Sequence, residues 1–419
     1  MSASRLTADA RRVLVAQALR ALAYGFGSVL LGVTLDERGF SSTEAGLIIA
    51  AVVTGTVLAS VLIGRYADRV GRRRCYVALY VALACVGVAF AVSSAAWLLI
   101  AFALTGALST EVTESGPFTS LEQSILATEL SGDARVRGFG VYNAVASAAG
   151  SLGALLAGGL SLLHGWWPGA PANGWFFLVF VPVALAGATV ARSLTEGIET
   201  TPRPHRISRA APPLGASRGV VTRLAGLFAL DSFGGGFVVQ AFIAYWLAQR
   251  FGVSLGTVGL VFFAVGVLQT GSFLVAASIA RRFGLLHTMV FTHLPSNLLL
   301  TAIAFAPTLP VAVGLLLART ALSQMDVPTR QAYVMALVTP EERTVAAAYT
   351  NTARYLVRPA GPALAGAAQS VALGLPFVIA GSIKSVYDLI LWRWFSRVDV
   401  PGDGRAASTP SGVEIGEST

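Results

Sequence analysis

The chain has 419 residues, of which 55% are hydrophobic and only 12% charged, and its mean hydropathy is +0.69. Soluble domains run at about 45–50% apolar and about 25% charged, so a normal cytosolic enzyme, a disordered chain and a fibrous repeat are excluded. A bilayer is needed to cover this much apolar surface. The two cysteines, Cys75 and Cys85, exclude a disulfide scaffold and a cysteine-based metal cluster.

A spanning helix needs roughly 20 mostly apolar residues. Such stretches run near 13–35, 43–63, 75–95, 97–129, 138–163, 174–193, 222–248, 254–280, 285–305, 309–337, 343–370 and 374–395, which makes twelve. No segment alternates at period two, so a β-barrel is not supported. The start, MSASRLTADARR, leads into a full-length span without a small-residue cleavage site, and no signal peptide is expected. The expected fold is an all-α integral membrane protein of twelve transmembrane helices in two six-helix bundles.

The loops alternate in charge. Arg11 and Arg12 precede the first span, Arg65, Arg69 and Arg72 to Arg74 follow the second, and Arg281 and Arg282 follow the eighth. The intervening loops hold little beyond Arg38 and Arg250. Basic residues collect on the cytoplasmic side, so an even span count places both termini there. The net charge of +9 is therefore read as topology, and no nucleic-acid partner is expected. Residues 195–221 are rich in Pro and Arg and read as a cytoplasmic linker between an N-terminal bundle, 1–194, and a C-terminal bundle, 222–397. The polar stretch 398–419 reads as a disordered cytoplasmic tail.

The halves repeat. An offset of 208 sets Gln123 on Gln331, Arg135 on Arg343, Asn143 on Asn351, Gly153 on Gly361 and Gly158 on Gly366 without a gap. An offset of 213 sets Gly39, Ser41 and Gly46 on Gly252, Ser254 and Gly259. A duplicated six-span unit predicts two bundles related by an axis along the membrane normal, with a substrate site between them.

Between spans two and three lies Gly64-Arg65-Tyr66-Ala67-Asp68-Arg69-Val70-Gly71-Arg72-Arg73-Arg74. It resembles the loop signature of the major facilitator superfamily, and a degenerate copy, Ala280-Arg281-Arg282-Phe283-Gly284, sits between spans eight and nine. Gly361-Pro362-Ala363-Leu364-Ala365-Gly366 is similar to the Gly-Pro-x-x-Gly-Gly element of the drug/proton antiporter branch, whereas the span-five copy, Gly153 to Gly159, lacks the proline. The resemblance implies that Gly64, Asp68, Arg69, Gly71 and Arg72 form a cytoplasmic gate latching the halves together in an outward-open state. It also implies that spans one, four, seven and ten line a central cavity.

Charges inside a bilayer cost about 2.5–3.5 kcal/mol each on insertion scales and need a partner, water or a function. The spans carry Arg20, then Glu111, Glu114 and Glu122, then Asp231, then Arg319, Asp326 and Arg330, then Arg354 and Arg358, then Lys384 and Asp388. Glu122 and Arg330 occupy equivalent repeat positions with opposite charge, as do Glu111 and Arg319, which predicts salt bridges across the halves. Lys384 and Asp388, four apart on one helix, are expected to pair. Arg20, Glu111, Glu114, Asp231, Arg319, Arg354 and Arg358 are the expected substrate or proton pathway. Asp231 and the Glu111/Glu114 pair are the candidate proton carriers, and Arg20, Arg354 and Arg358 suit an anionic group. Gly234, Gly235 and Gly236 invite a helix break.

His164, His205, His287 and His293 show no ligand spacing, and no Walker loop, kinase signature or nucleophile elbow is present, so no metal, no cofactor and no enzymatic reaction is expected. The expected function is secondary active transport by alternating access: proton-coupled efflux of a small organic compound, or proton-coupled uptake of a small anionic metabolite. A receptor on the same fold is the alternative outside transport. The expected partners are a small-molecule substrate, protons and the lipid bilayer, with the chain acting as a monomer in a bacterial inner membrane.

Overall fold

The computed structural model describes residues 7–109, 116–129, 132–199, 215, 217–338 and 342–398, and these contain helices and turns but no strand. Helix α1 (Ala8–Glu37) starts where the Thr7 hydroxyl accepts the Ala10 amide. Helix α2 (Ser42–Val70) starts at a capping box, in which Ser41 and Glu44 satisfy each other's backbone amides. Gly71, at φ +105°, turns the chain directly into α3 (Arg72–Val92), a backbone geometry that favours glycine. There follow α4 (Ala96–Ala103), α5 (Pro117–Glu129), α6 (Gly132–Trp166) and a 3-10 turn over Asn173–Val179 that runs into α7 (Phe180–Arg192).

The second half of the chain holds α8 (Arg218–Gly236), α9 (Gln240–Phe251), α10 (Leu255–Phe283), α11 (Leu285–Ile303), α12 (Leu309–Ser323), α13 (Asp326–Leu337), α14 (Arg343–Val357), α15 (Ala360–Val371) and α16 (Leu375–Phe395). Among the described residues eight helical segments are long and apolar enough to cross a membrane. The other stretches expected to span, 97–129, 285–305, 309–337 and 343–370, are also helical, but three of them are divided: into α4 and α5, α12 and α13, and α14 and α15.

The expected break at Gly234 to Gly236 is present, since α8 ends at Gly236 and α9 begins at Gln240. Packing explains it. A Cβ on Gly236 would lie 2.6 Å from the Arg358 carbonyl oxygen and 3.0 Å from Gly361 Cα, so α8 meets the start of α15 backbone to backbone. The equivalent glycines of span one leave α1 unbroken. Gly25 there abuts Gly150, and Gly32 abuts Ala241 and Ala244. Small residues at contacts are the usual solution where lipid removes the hydrophobic drive between helices.

The halves meet along α6 with α10, α2 with α15 and α1 with α9. Tyr245 donates to the Phe40 carbonyl at 2.8 Å, Ser42 to Gln249 at 3.4 Å, and the Gly256 amide to Ser161 at 2.6 Å. These bonds cluster at the end of the bundle remote from the starts of α1 and α8. Further along the same seam Ser147 and Thr270 bond at 2.7 Å. Among the described residues these hydrogen bonds between the halves lie toward the end remote from the helix starts, opposite the end that carries Arg69 and Arg72 to Arg74.

Candidate functional site

A cavity of about 180 Å3 lies within the second half of the chain. Its walls come from α8 to α14 and α16, and every residue lining it lies between Asp231 and Lys384. Five cationic side chains reach it: Arg319, Arg330, Arg354, Arg358 and Lys384. Among the described residues two carboxylates do, Asp231 and Asp326. Gln240, Gln269 and Gln324 add amides. Cationic side chains in a low-dielectric interior need anionic partners.

The charged network is built on Asp231. Lys384 Nζ donates to Asp231 Oδ1 and Arg330 reaches Oδ2 at 3.3 Å. Arg330 also holds Asp326 at 2.8 Å, one turn back on α13. His293 Nε2 lies 3.7 Å from Asp231 Oδ1, while His293 Nδ1 lies 2.9 Å from Asp388 Oδ1. Asn297, one turn along α11, donates to Asp388 Oδ2 at 2.8 Å. The expected Lys384–Asp388 pair is therefore not made. Each side chain instead faces a different neighbouring helix, because α8 and α11 both pack against α16 and supply a stronger partner than the next turn of the same helix.

The first half treats its charge differently. Arg20 on α1 donates to Glu122 on α5 at 2.8 and 3.3 Å, and also to Gln17. Tyr76 and Tyr142 donate to Glu122 at 2.6 and 2.5 Å. Arg20 is 1% and Glu122 0% exposed, and neither lines the cavity. The rings of Tyr24 and Phe118 cover the guanidinium at 5.1 and 5.6 Å, a cation–π contact. The Glu122–Arg330 bridge predicted across the halves is not made: Glu122 takes Arg20, and Arg330 takes Asp231 and Asp326, while the Glu111 of the second predicted pair lies outside the described residues. The repeat conserves the helical position but not the neighbour that is nearest after folding.

Of the expected pathway residues, Asp231, Arg319, Arg354 and Arg358 line the cavity, Arg20 is enclosed, and Glu111 and Glu114 lie outside the described residues. His293, Lys384 and Asn297 were not read as site residues. The signal for His293 and Asn297 was present: two polar side chains one turn apart on the apolar span 285–305, flanking Pro295.

The expected gate residues sit where α2 turns into α3. Gly64 and Arg69 are exposed and Asp68 falls within α2, its side chain lying outside the described part. The acid at the start of α3 is Glu199, which accepts the Arg72 amide at 2.7 Å and the Arg73 amide at 3.1 Å. A carboxylate there satisfies unpaired amides and the helix dipole. Glu342 does the same before α8, accepting the Gly215 amide at 2.6 Å and the Ser217 amide at 3.3 Å. Hydrogen bonds from the Ser217 side chain and the Gly215 amide hold the Glu342 carboxyl below its ordinary value.

Helices long and apolar enough to cross a membrane, packed around a basic cavity, fit a membrane transport protein. Residues 13–362 match the family model described as Major Facilitator Superfamily, and the chain belongs to that family. Its members are multi-pass membrane transporters of small molecules, not enzymes. The chain is 27% identical over 414 residues to an uncharacterized membrane protein of Saccharomyces cerevisiae, covering 91% of this chain and 92% of that protein. Its fold is similar to a bacterial homologue of the human lysosomal transporter Spinster in an inward-facing and occupied conformation, with TM-score 0.69, 17% identity, and 94% and 97% of the two chains covered. It is also similar to the human organic anion transporter TETRAN, with TM-score 0.60, 21% identity, and 91% and 98% covered.

Proposed function

We propose that this protein is a secondary transporter that carries a small organic anion across the membrane by alternating access, coupled to protons. The observation that carries the reading is the lining of the cavity, where five cations face two carboxylates. Arg354, whose Nε has no hydrogen-bond partner among the described residues, and Arg358 are assigned to the anionic group of the substrate, with Arg319 beside them. A planar guanidinium suits carboxylate or phosphate oxygens. The organic anions named for TETRAN support the same class. The basic loops support a cytoplasmic position for the end that carries Arg69 and Arg72 to Arg74, and on this reading substrate exchanges with the cytoplasm when that end is open. With protons and anions moving together, the inward proton gradient drives uptake. This favours the uptake reading over efflux of a neutral or cationic compound.

The test is thermal unfolding of the purified protein in detergent with phosphate, succinate, benzoate or choline. Ligands that bind the native state raise its midpoint by mass action. At least one anion raises it by a few degrees, choline does not, and Arg354→Gln removes the effect. Equal stabilisation by choline, or none by any anion, rejects the reading.

A further inference from the structure

We propose that His293, held by Asp388, carries the coupling proton, and that it hands Lys384 to the substrate by competing with it for one oxygen of Asp231. The inference rests on the anion-transport reading above and assigns its coupling to a residue outside the first candidate set.

Three observations place the proton there. The first is tautomer. The Asp388 carboxylate accepts from Asn297 at 2.8 Å and faces His293 Nδ1 at 2.9 Å, so Nδ1 carries the hydrogen and Nε2 holds the free lone pair. That lone pair points to Asp231, and the ring lines the cavity. The second is charge. His293 lies between two carboxylates, with Nε2 3.7 Å from Asp231 Oδ1 and Nδ1 2.9 Å from Asp388 Oδ1, so a proton on the ring is held by both. The third is shared geometry. His293 Nε2 and Lys384 Nζ approach the same atom, Asp231 Oδ1.

The step balances simply. A proton arriving through the cavity adds to the Nε2 lone pair, and no other bond changes order. The new Nε2–H donates to Asp231 Oδ1 across what is now 3.7 Å. Lys384, which lines the cavity, then turns its ammonium to the anion. Proton and anion each lower the cost of binding the other, a reciprocal coupling. The groups facing His293 are Asp388, Lys384 and the Tyr387 ring from α16, Asp231 from α8, Asp326 and Arg330 from α13, and Arg319 from α12, while α10 presents the neutral Gln269. Arg354 and Arg358 complete the positive lining on the α14 side.

The experiment is NMR of the full-length protein labelled at its four histidines, titrated between about pH 5 and pH 9, with the His293 signal assigned from its loss in His293→Gln. The expected result is a change of charge state at His293 within that window in the wild-type chain. Its midpoint moves by about one pH unit or more in Asp388→Asn, which keeps the shape and removes the charge. A His293 that holds one state throughout overturns the proposal without any variant having to fold, as does a midpoint unmoved in a monodisperse Asp388→Asn protein. No substrate is needed, so failure here leaves the anion-binding result standing. Conversely, a titrating His293 in a protein stabilised by no anion rejects only the transport reading. The link to Lys384 is read separately: phosphate or succinate stabilises the wild type more at pH 6 than at pH 8, and His293→Gln abolishes that difference. An unchanged pH difference in His293→Gln counts against the handover.

Discussion

Two arginines show how single residues divide the molecule between structure and transport. Arg20 is spent: Glu122 neutralises it, Gln17 and Tyr142 take further hydrogen-bonding capacity, and two rings cover its face. Arg330 is also buried, but it shares Asp231 with Lys384 and borders the cavity. Removing one partner of an enclosed pair leaves a charge without compensation, at about 3–5 kcal/mol. Glu122→Gln is therefore expected to lower the unfolding midpoint sharply, while replacing both partners, Arg20→Met with Glu122→Leu, recovers much of the loss. The pair of measurements separates a structural role from a transport role, because the double variant is also expected to keep anion stabilisation. Loss of anion stabilisation in a well-folded double variant returns Arg20 to the pathway. Sequence could place these charges inside spans but not choose their partners. Arg20 and Glu122 lie 102 positions apart and His293 and Asp388 lie 95 apart, so the choice between enclosed pair and open site is settled only by which helices pack.

The helices themselves were largely legible, and their interruptions were not. Every apolar stretch expected to span is helical, because twenty greasy residues in a row leave the backbone no partner in lipid but itself. The break in 343–370 had a signal in Pro359, which stands at the start of α15 and disfavours helix at the residue before it, but only the run Gly234 to Gly236 was read as a break. Those glycines differ in what surrounds them. A Cβ at Gly236 would clash with the Arg358 carbonyl at 2.6 Å, whereas at Gly235 the nearest atom, Lys384 Nζ, is 3.9 Å away. Gly236→Ala is expected to cost about 1–3 kcal/mol by overpacking and to displace Arg358, seen as a lower unfolding midpoint with weakened anion stabilisation. Gly235→Ala is expected to leave both near wild type. Equal effects at the two positions would show that the run matters for backbone freedom rather than for the α8–α15 approach.

Across the whole molecule, alternating access demands that the end bonded between the halves open. The seam there is built from groups that release cheaply: glycine contacts between α6 and α10 and a handful of hydrogen bonds such as Gly256 to Ser161. The positive cavity, by contrast, sits wholly on one side of that seam. On the proposed mechanism the second half carries the charge and the first half rocks over it. A disulfide tests this division. A Cβ on Gly256 would lie 3.1 Å from Ser161 Cβ, close to the roughly 3.5–4.5 Å that a disulfide prefers. In a chain with Cys75 and Cys85 changed to Ser, Ser161→Cys with Gly256→Cys is expected to oxidise readily and lock that end. A third cysteine at Ser323, which lines the cavity, reports access. After oxidation, a membrane-impermeant maleimide labels it from the side that carries Arg69 as before, labelling from the opposite side falls to background, and reduction restores it. Labelling from the opposite side that persists in the oxidised protein would mean that the cavity is reached without parting the α6–α10 seam, and the rocking arrangement would have to be abandoned.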